Sequence, residues 1–316
     1  MNVSETPVGS SIRDQRSVPA PVAVACSVGV MAYNEEANIA RLIEALLAQQ
    51  GPTCHIREII VLASGCTDRT EEIVRGYEAR EPKVKLLSQA RREGKASAVN
   101  VFLAVAQSDI LVLESADTIP APGAIARLLA PFADPNVGMT GCRPVPVNDR
   151  TSFMGFAAHL LWDLHHQIAL RRPKMGEVIA FRRVFRRIPH TSAVDEADIE
   201  PLVRGQGYSL RYVPDAIAYN RGPETVRDLL KQRRRIYAGH LRIKRRQGYV
   251  VSTLGVGHIL AALLHAWRWD WRYVVWTPAV AALELYGRFL GWMDCTFQLQ
   301  DHAVWDVAMT TKGAIE

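Results

Sequence analysis

Four apolar runs alternate with helix-patterned segments between Ala23 and Leu113, and this alternation restricts the fold more than any other property of the 316-residue chain. Ala23 to Met31, Glu58 to Ala63, Val84 to Leu87 and Ile110 to Leu113 read as strands. Between them, Glu36 to Gln50, Arg69 to Arg80 and Lys95 to Gln107 carry helical spacing. In the first of these, Ile39, Leu42, Ile43, Leu46 and Leu47 fall on one stripe. A strand that is apolar throughout is buried on both faces, as in parallel sheets covered by crossover helices. The expected fold class is therefore α/β, a doubly wound, mostly parallel sheet with right-handed crossovers. A hydrophobic content of 48% is ample for such a core.

In open sheets of this kind, ligands collect outside the carboxyl ends of the strands. The Ile110 strand ends there in a small-residue turn that presents Glu114, Ser115 and Asp117. A carboxylate at that position suits a hard cation and, through it, a phosphate. The plainer alternative is an aspartate that caps the next helix. Formal charge is +6, and the excess is concentrated. Arg171, Arg172, Lys174, Arg182, Arg183, Arg186 and Arg187 form one cluster, and Arg227 to Arg246 sets nine Lys or Arg against Asp228 alone. Such runs favour phosphates or phospholipid head groups. Nucleic acid is the weaker partner, because the basic helix lacks interleaved aromatics. The five cysteines have no metal-ligand spacing and read as thiols in a reducing compartment. His159, His165 and His166 form no metal pattern and read as helix surface or core.

Further along, a helix at Gly123 to Phe132 leads to a strand at Val137 to Arg143. Phe153 to Leu170 reads as a long helix, Glu177 to Arg182 as a short strand, and the acids within Ala193 to Gly207 open another helix. Leu210 to Val213 and Ala216 to Tyr219 are extended, and Pro223 to Arg246 is a basic helix. Three regions are expected: a disordered polar tail (1–22), an α/β domain (23–246) and a hydrophobic, Trp-rich helical region (247–316). The tail lacks an apolar signal core, which points to a cytoplasmic start. Tyr249 to Trp267 holds 19 residues without Asp, Glu, Lys or Arg, and six of the seven tryptophans lie at or beyond Trp267. Tryptophan is favoured where lipid meets water. One or two shallow or spanning membrane helices are one reading; a soluble hydrophobic subdomain or dimer surface is the other. Glu284 and Arg288 interrupt the second apolar stretch four residues apart, close enough to pair.

In order, these segments resemble the family 2 glycosyltransferases of GT-A fold, over about Val28 to His240. Ala32-Tyr33-Asn34-Glu35-Glu36 is similar to the family's first strand-to-helix turn, which cradles the donor nucleoside, and Ser64-Gly65-Cys66-Thr67-Asp68 to its second. Gly94 to Asn100 resembles the segment whose lysine, here Lys95, lies near the donor. Ser115-Ala116-Asp117 stands where the family has its DxD metal motif. Asp195-Glu196 stands where it has the pair that holds the catalytic base. Gln232-Arg233-Arg234-Arg235-Ile236 is similar to the QxxRW motif of the membrane-linked branch.

The resemblance implies an inverting, membrane-associated glycosyltransferase using a nucleotide-sugar, most often a UDP-sugar, with Mg²⁺ or Mn²⁺ at Asp117. It implies donor contacts from Ala32, Tyr33, Asn34, Glu35, Ser64, Lys95, Ser115, Ala116, Gln232, Arg234 and Arg235. Glu196 best matches the base by spacing, with Asp195 and Asp198 as competitors. A lipid or lipid-linked acceptor at the cytoplasmic face of the membrane follows from the basic helix lying along the bilayer. Chemically, a departing diphosphate needs its charge neutralised, which a cation and an arginine fork supply. The acceptor hydroxyl needs a base for in-line attack. Departures exist: Ala63, Ser64 and Ser115 replace acids, Ile236 replaces tryptophan, and Asn220 stands where relatives carry a histidine. Glu114 is a possible helper to Asp117. A non-catalytic nucleotide-binding or scaffold protein is the alternative those departures motivate.

Overall fold

The computed structural model describes residues 23–49, 51, 54–254, 257, 259, 261, 263, 269–300, 302, 304 and 308–315. The expected 1–22 tail and much of the 249–267 stretch lie outside the described residues. Eight strands form one sheet: β1 (Val24–Ala32), β2 (Cys54–Ser64), β3 (Val84–Gln89), β4 (Ile110–Ser115), β5 (Thr118–Pro120), β6 (Val137–Pro146), β7 (Ile179–Arg182) and β8 (Ser209–Asn220). Their order is β3-β2-β1-β4-β7-β6-β8-β5. The β3-β2-β1-β4 half is parallel throughout. Beyond it the sheet is mixed: β7 runs antiparallel to both β4 and β6, β8 is parallel to β6, and β5 is antiparallel to β8. The expected mostly parallel sheet is thus found, with antiparallel pairings in its second half. Two extended stretches read separately, Leu210 to Val213 and Ala216 to Tyr219, are parts of the single strand β8. The short β5 was not expected at all; its three residues give too little pattern to read.

Among the described residues the sheet is joined by helices α1 (Ile39–Leu47), α2 (Thr70–Glu78), α3 (Lys95–Val105), α4 (Ala124–Leu129), α5 (Phe153–Arg171), α6 (Asp195–Arg204), α7 (Val226–Gln247) and α8 (Trp271–Phe297). The central strands alternate between two cores. Val28, Val30, Ile59, Val61 and Val112 pack with the α1 and α4 stripes on one face. Ile60, Leu62, Leu111 and Leu113 pack with Phe102 of α3 and Ile199 of α6 on the other. Gly29 lets α3 sit close, since a Cβ there would lie 2.6 Å from the Phe102 ring. Burying side chains of this size stabilises the fold by roughly 1.5–3 kcal/mol each. Because β1 runs parallel to both β2 and β4, their carboxyl ends share one edge, where the turns after Ala32, Ser64 and Ser115 meet.

The C-terminal region is built onto this module. Leu160, Leu164 and Ile168 of α5 pack with Tyr273 and Val280 of α8. The basic helix α7 is capped by Thr225, whose hydroxyl accepts from Asp228 N at 3.2 Å, and ends at Gly248 with φ +65°. Glu284 does pair with Arg288, which donates to it at 2.8 Å. Among the described residues no helix is long and apolar enough to cross a membrane. The outer face of α8 nevertheless exposes Val275, Leu285, Tyr286 and Phe289.

Candidate active site

The turns at the carboxyl edge open into one cavity of about 720 Å³, floored by the sheet edge and walled by α5, α7 and α8. Ala32, Tyr33, Glu35, Ser64, Lys95, Ser115, Asp117, Asp195, Glu196, Gln232, Arg234 and Arg235 all line it. Asp117 thus shares a cleft with Asp195 and Glu196 of α6. Lys95, in the first turn of α3, links the two sides. Its ammonium donates to Ser115 Oγ at 2.9 Å and pairs with Asp195 Oδ1 at 3.2 Å. Burial acts to lower its pKa, but the charges of Asp195, Glu196, Glu177 and Asp117 outweigh that and hold it above the usual lysine range.

Two expected donor residues do not reach the cleft. Asn34, at φ +51°, ties the first turn to the second: its Oδ1 accepts from Thr67 N at 2.8 Å and its Nδ2 donates to Thr67 Oγ1 at 3.0 Å. Ala116 is buried, and its N–H donates to Met31 O at 3.1 Å. The Asn34 side chain is spent on holding its left-handed turn, and Ala116 is spent on a backbone bond to β1. Arg234 lines the cavity, but its guanidinium is held by Asp294 of α8, donating to both carboxylate oxygens at 2.5 Å. Arg235 faces inward instead: Glu196, Asp195, Glu177 and Asp117 all act on its charge, and it donates to Ala193 O at 2.6 Å.

Among the three candidate bases, the geometry separates them. Asp195 is engaged in an ion pair with Lys95 at 3.2 Å. Asp198 is 2% exposed, accepts from Gln247 Nε2 at 3.3 Å and does not line the cavity. Glu196 lines the cleft, and burial followed by the neighbouring Asp195 raises its pKa. A raised carboxyl is a better proton acceptor near neutral pH than an ordinary one.

Around Asp117 stand acids that the sequence reading did not single out as ligands. Glu177, just before β7, has its carboxyl pushed up to about 7 by burial and then by Asp117. Its Oε1 accepts from Asn220 Nδ2 at 3.3 Å, which leaves Asn220 Oδ1 buried without a partner. Glu35 is pushed up to about 8, first by burial and next by Asp117. Glu114 does not join them in the cleft: it lies beneath, 1% exposed, receiving the Thr118 hydroxyl. The helper role expected of Glu114 is corrected on that ground. Among the described residues no group of three or more His, Cys, Asp or Glu side chains is arranged to hold a metal.

One contributor came from an unexpected part of the chain. Lys312, in the segment 308–315, lines the cleft, donates to Tyr33 O at 3.1 Å and pairs with Glu35. Asn38 anchors that segment, accepting from Ile315 N at 3.0 Å and donating to Gly313 O at 3.2 Å. A polar Thr-Thr-Lys-Gly stretch after apolar helices was the available signal, and periodicity alone does not interpret it.

A mixed sheet with an acid-rich carboxyl-edge cleft crossed by lysine and arginine places the chain among α/β proteins of the GT-A fold class. The sequence model of glycosyl transferase family 2 matches residues 27–193, and the chain belongs to that family. Its sequence is similar to a beta-monoglucosyldiacylglycerol synthase of Synechocystis sp., 28% identical over 44% of this chain and 29% of that protein. It is also similar to the dolichyl-phosphate beta-glucosyltransferase ALG5C of Trichomonas vaginalis, 30% identical over 32% of each. The chain thus spans about a third of the length of these relatives. The fold is that of a mannosyltransferase from Pyrobaculum calidifontis solved with GDP-Man and Mn²⁺, with a TM-score of 0.61 at 21% identity, covering 87% of this chain and 88% of that one.

Proposed function

We propose that the chain is an inverting glycosyltransferase that moves a sugar from a nucleotide-sugar, a UDP-sugar by preference, to a hydroxyl of a lipid or lipid-linked acceptor. The observation that carries this reading is the single cleft in which Asp117, Lys95 and Arg235 meet Glu196. Residues 23–246 serve as the transferase module and 247–316 as its membrane-facing wall. Tyr33 and Ser64 line the nucleoside end, while Lys95 and Arg235 stabilise charge on the departing diphosphate. Glu196 takes the acceptor proton as the oxygen attacks the anomeric carbon from the side opposite the leaving group, which inverts the configuration.

The residues fit a divalent cation that enters with the diphosphate. Asp117, Glu177 and the unpartnered Asn220 Oδ1 are hard oxygen donors, and the repulsion of Glu177 and of Glu35 by Asp117 is what a cation would relieve. Bound there, Mg²⁺ or Mn²⁺ supplies Lewis-acid neutralisation of the phosphate oxygens. The names of the two lipid-directed relatives support the acceptor class. The exposed apolar face of α8 beside the basic α7 supports peripheral attachment at the cytoplasmic membrane surface.

Glu196→Gln tests the base. The expected result is a fall in kcat of about 10²–10⁴-fold with donor KM nearly unchanged, because the amide cannot accept the proton. Asp117→Asn is expected to weaken donor binding and its response to Mn²⁺. Parental turnover in both variants would remove the mechanism.

A further inference from the structure

The wall of the cavity formed by α5, α7 and α8 holds three polar atoms that the donor chemistry does not use. His165 Nε2, His240 Nε2 and Thr277 Oγ1 come from three different helices, line the same cavity, and are each buried with no hydrogen-bond partner. The residues are 8%, 4% and 6% exposed. His159 and His166 of the same helix are satisfied, at Asn148 O (3.0 Å) and the Tyr212 hydroxyl (2.8 Å). His165 is thus a buried helix histidine, within the surface-or-core reading of the sequence, but one whose Nε2 lacks a partner. Buried polar groups are paired in the great majority of cases, so three orphans facing one space ask for a ligand.

The chemistry of that ligand follows from charge. Lys174, His166 and Arg233 act on His165; Lys174, Arg233, Arg288 and Arg235 act on His240. Lys174 also faces Glu196 and Glu200. Arg233 and Arg288, however, share the one carboxylate of Glu284, so that group keeps one uncompensated positive charge on the side of the cavity that acts on the His240 ring. The adjacent walls are apolar, from Leu160, Leu164, Ile168 and Val280.

We propose that this chamber is the head-group subsite of the acceptor, taking a phosphate carried on an apolar chain. His165, His240 and Thr277 surround the phosphate oxygens, and the α5–α8 wall receives the first carbons of the chain. An anion between the rings favours their protonated form, in which Nε2–H donates to it. The phosphate could be that of a polyprenyl phosphate or of a phospholipid head group. The word acceptor rests on the proposed function; the binding of an alkyl phosphate does not.

The test uses the full chain in neutral detergent, with decyl phosphate as probe and neither donor nor metal present. Trp162 lines the cavity with its ring centroid 5.1 Å from that of His165, so its fluorescence reports occupancy. Saturable quenching is expected, absent in Trp162→Phe and not competed by decanol. Thr277→Val and His165→Asn are each expected to raise Kd by about tenfold or more, the loss of one hydrogen bond to a charged group. Thr277→Val keeps the side-chain shape, and an unchanged melting curve separates binding from folding. Equal competition by decanol, or parental Kd in both variants, overturns the subsite. In transfer assays, farnesyl phosphate and dioctanoyl phosphatidylglycerol distinguish the two phosphate sources, and dioctanoylglycerol is expected to be the poorer acceptor. Tight decyl phosphate binding without transfer to any acceptor would uphold the subsite and sink the glycosyltransferase reading instead.

Discussion

Replacing Glu284 by glutamine tests how the C-terminal helix is fastened to the rest of the protein. Its side chain, 14% exposed, receives Arg233 Nε at 2.5 Å, Arg233 Nη2 at 2.8 Å and Arg288 Nε at 2.8 Å. Burial pushes its pKa up, but the two guanidinium groups outweigh burial and hold the carboxyl at about 2, against an ordinary 4.5. At 1.36 kcal/mol per pKa unit, that depression corresponds to about 3 kcal/mol of stability at neutral pH. An independent route agrees: removing one partner of a buried ion pair costs about 3–5 kcal/mol. For a domain of this size each kcal/mol moves Tm by about 2–4 °C, so E284Q is expected to melt roughly 6–12 °C lower at pH 7.

The pH dependence sharpens the test. Because the folded pKa is depressed, the contribution is complete above the unfolded value and fades as pH falls from about 4.5 toward 2. By pH 3 less than half should remain, so the Tm gap between parent and variant should shrink there. Scanning calorimetry at pH 7 and pH 3 reads both quantities. A gap under about 2 °C at pH 7, or one of equal size at pH 3, would refute the assignment of Glu284 as an ion-paired anchor.

Other outcomes follow from the same geometry. Arg234→Met should lower Tm while leaving kcat nearly intact, because its fork serves Asp294; Arg235→Met should do the reverse, cutting turnover in a steady-state donor assay. Asn34→Ala loses two contacts to Thr67 and places alanine at positive φ, so a loss of about 1–3 kcal/mol in denaturant titration is expected, with donor KM little altered. Glu35 and Glu177 have folded pKa values near 8 and 7, above their unfolded values, so they are protonated in the fold where the free chain is not. Stability is then complete below about pH 4.5 and declines as pH rises toward 8. Thermal melts from pH 5.5 to 8.5 should show this decline, and a shallower one in Asp117→Asn, which removes the neighbouring charge.

The parallel half of the sheet was legible because its strands are apolar on both faces and its helices amphipathic, so pattern and burial coincide from Val24 to Ser115. The mixed half was harder to read. In β8 Leu210, Ala216, Ala218 and the polar Asn220 are buried, and residues 211–215 between them break the alternation. Asp117, Lys95, Glu196 and Arg235 were legible as motif positions, and all four meet in one cleft. Asn34, Ala116 and Arg234 stood in the same motifs yet act through the scaffold, since a motif records which residue stands at a position and not which way its side chain turns. Glu177 and Lys312 were invisible as site residues: each reaches the cleft through tertiary packing, one from the start of a short strand and the other from near the end of the chain.

The basic helix α7 illustrates why charge runs mislead when read alone. Nine cations in Arg227 to Arg246 suggest a surface for lipid phosphates, while the acids inside the following apolar stretch suggest a costly membrane burial. Each anomaly resolves part of the other. Glu284 takes Arg233 and Arg288, and Asp294 takes Arg234 and His302, the latter donating at 2.9 Å. Among the three consecutive arginines, two therefore hold α8 in place, and Arg235 is the one whose charge meets the site acids. With α8 held, its inner side closes the cavity beside α5 while its outer side keeps its apolar residues exposed. The attachment of that wall therefore depends on the same two acids, Glu284 and Asp294.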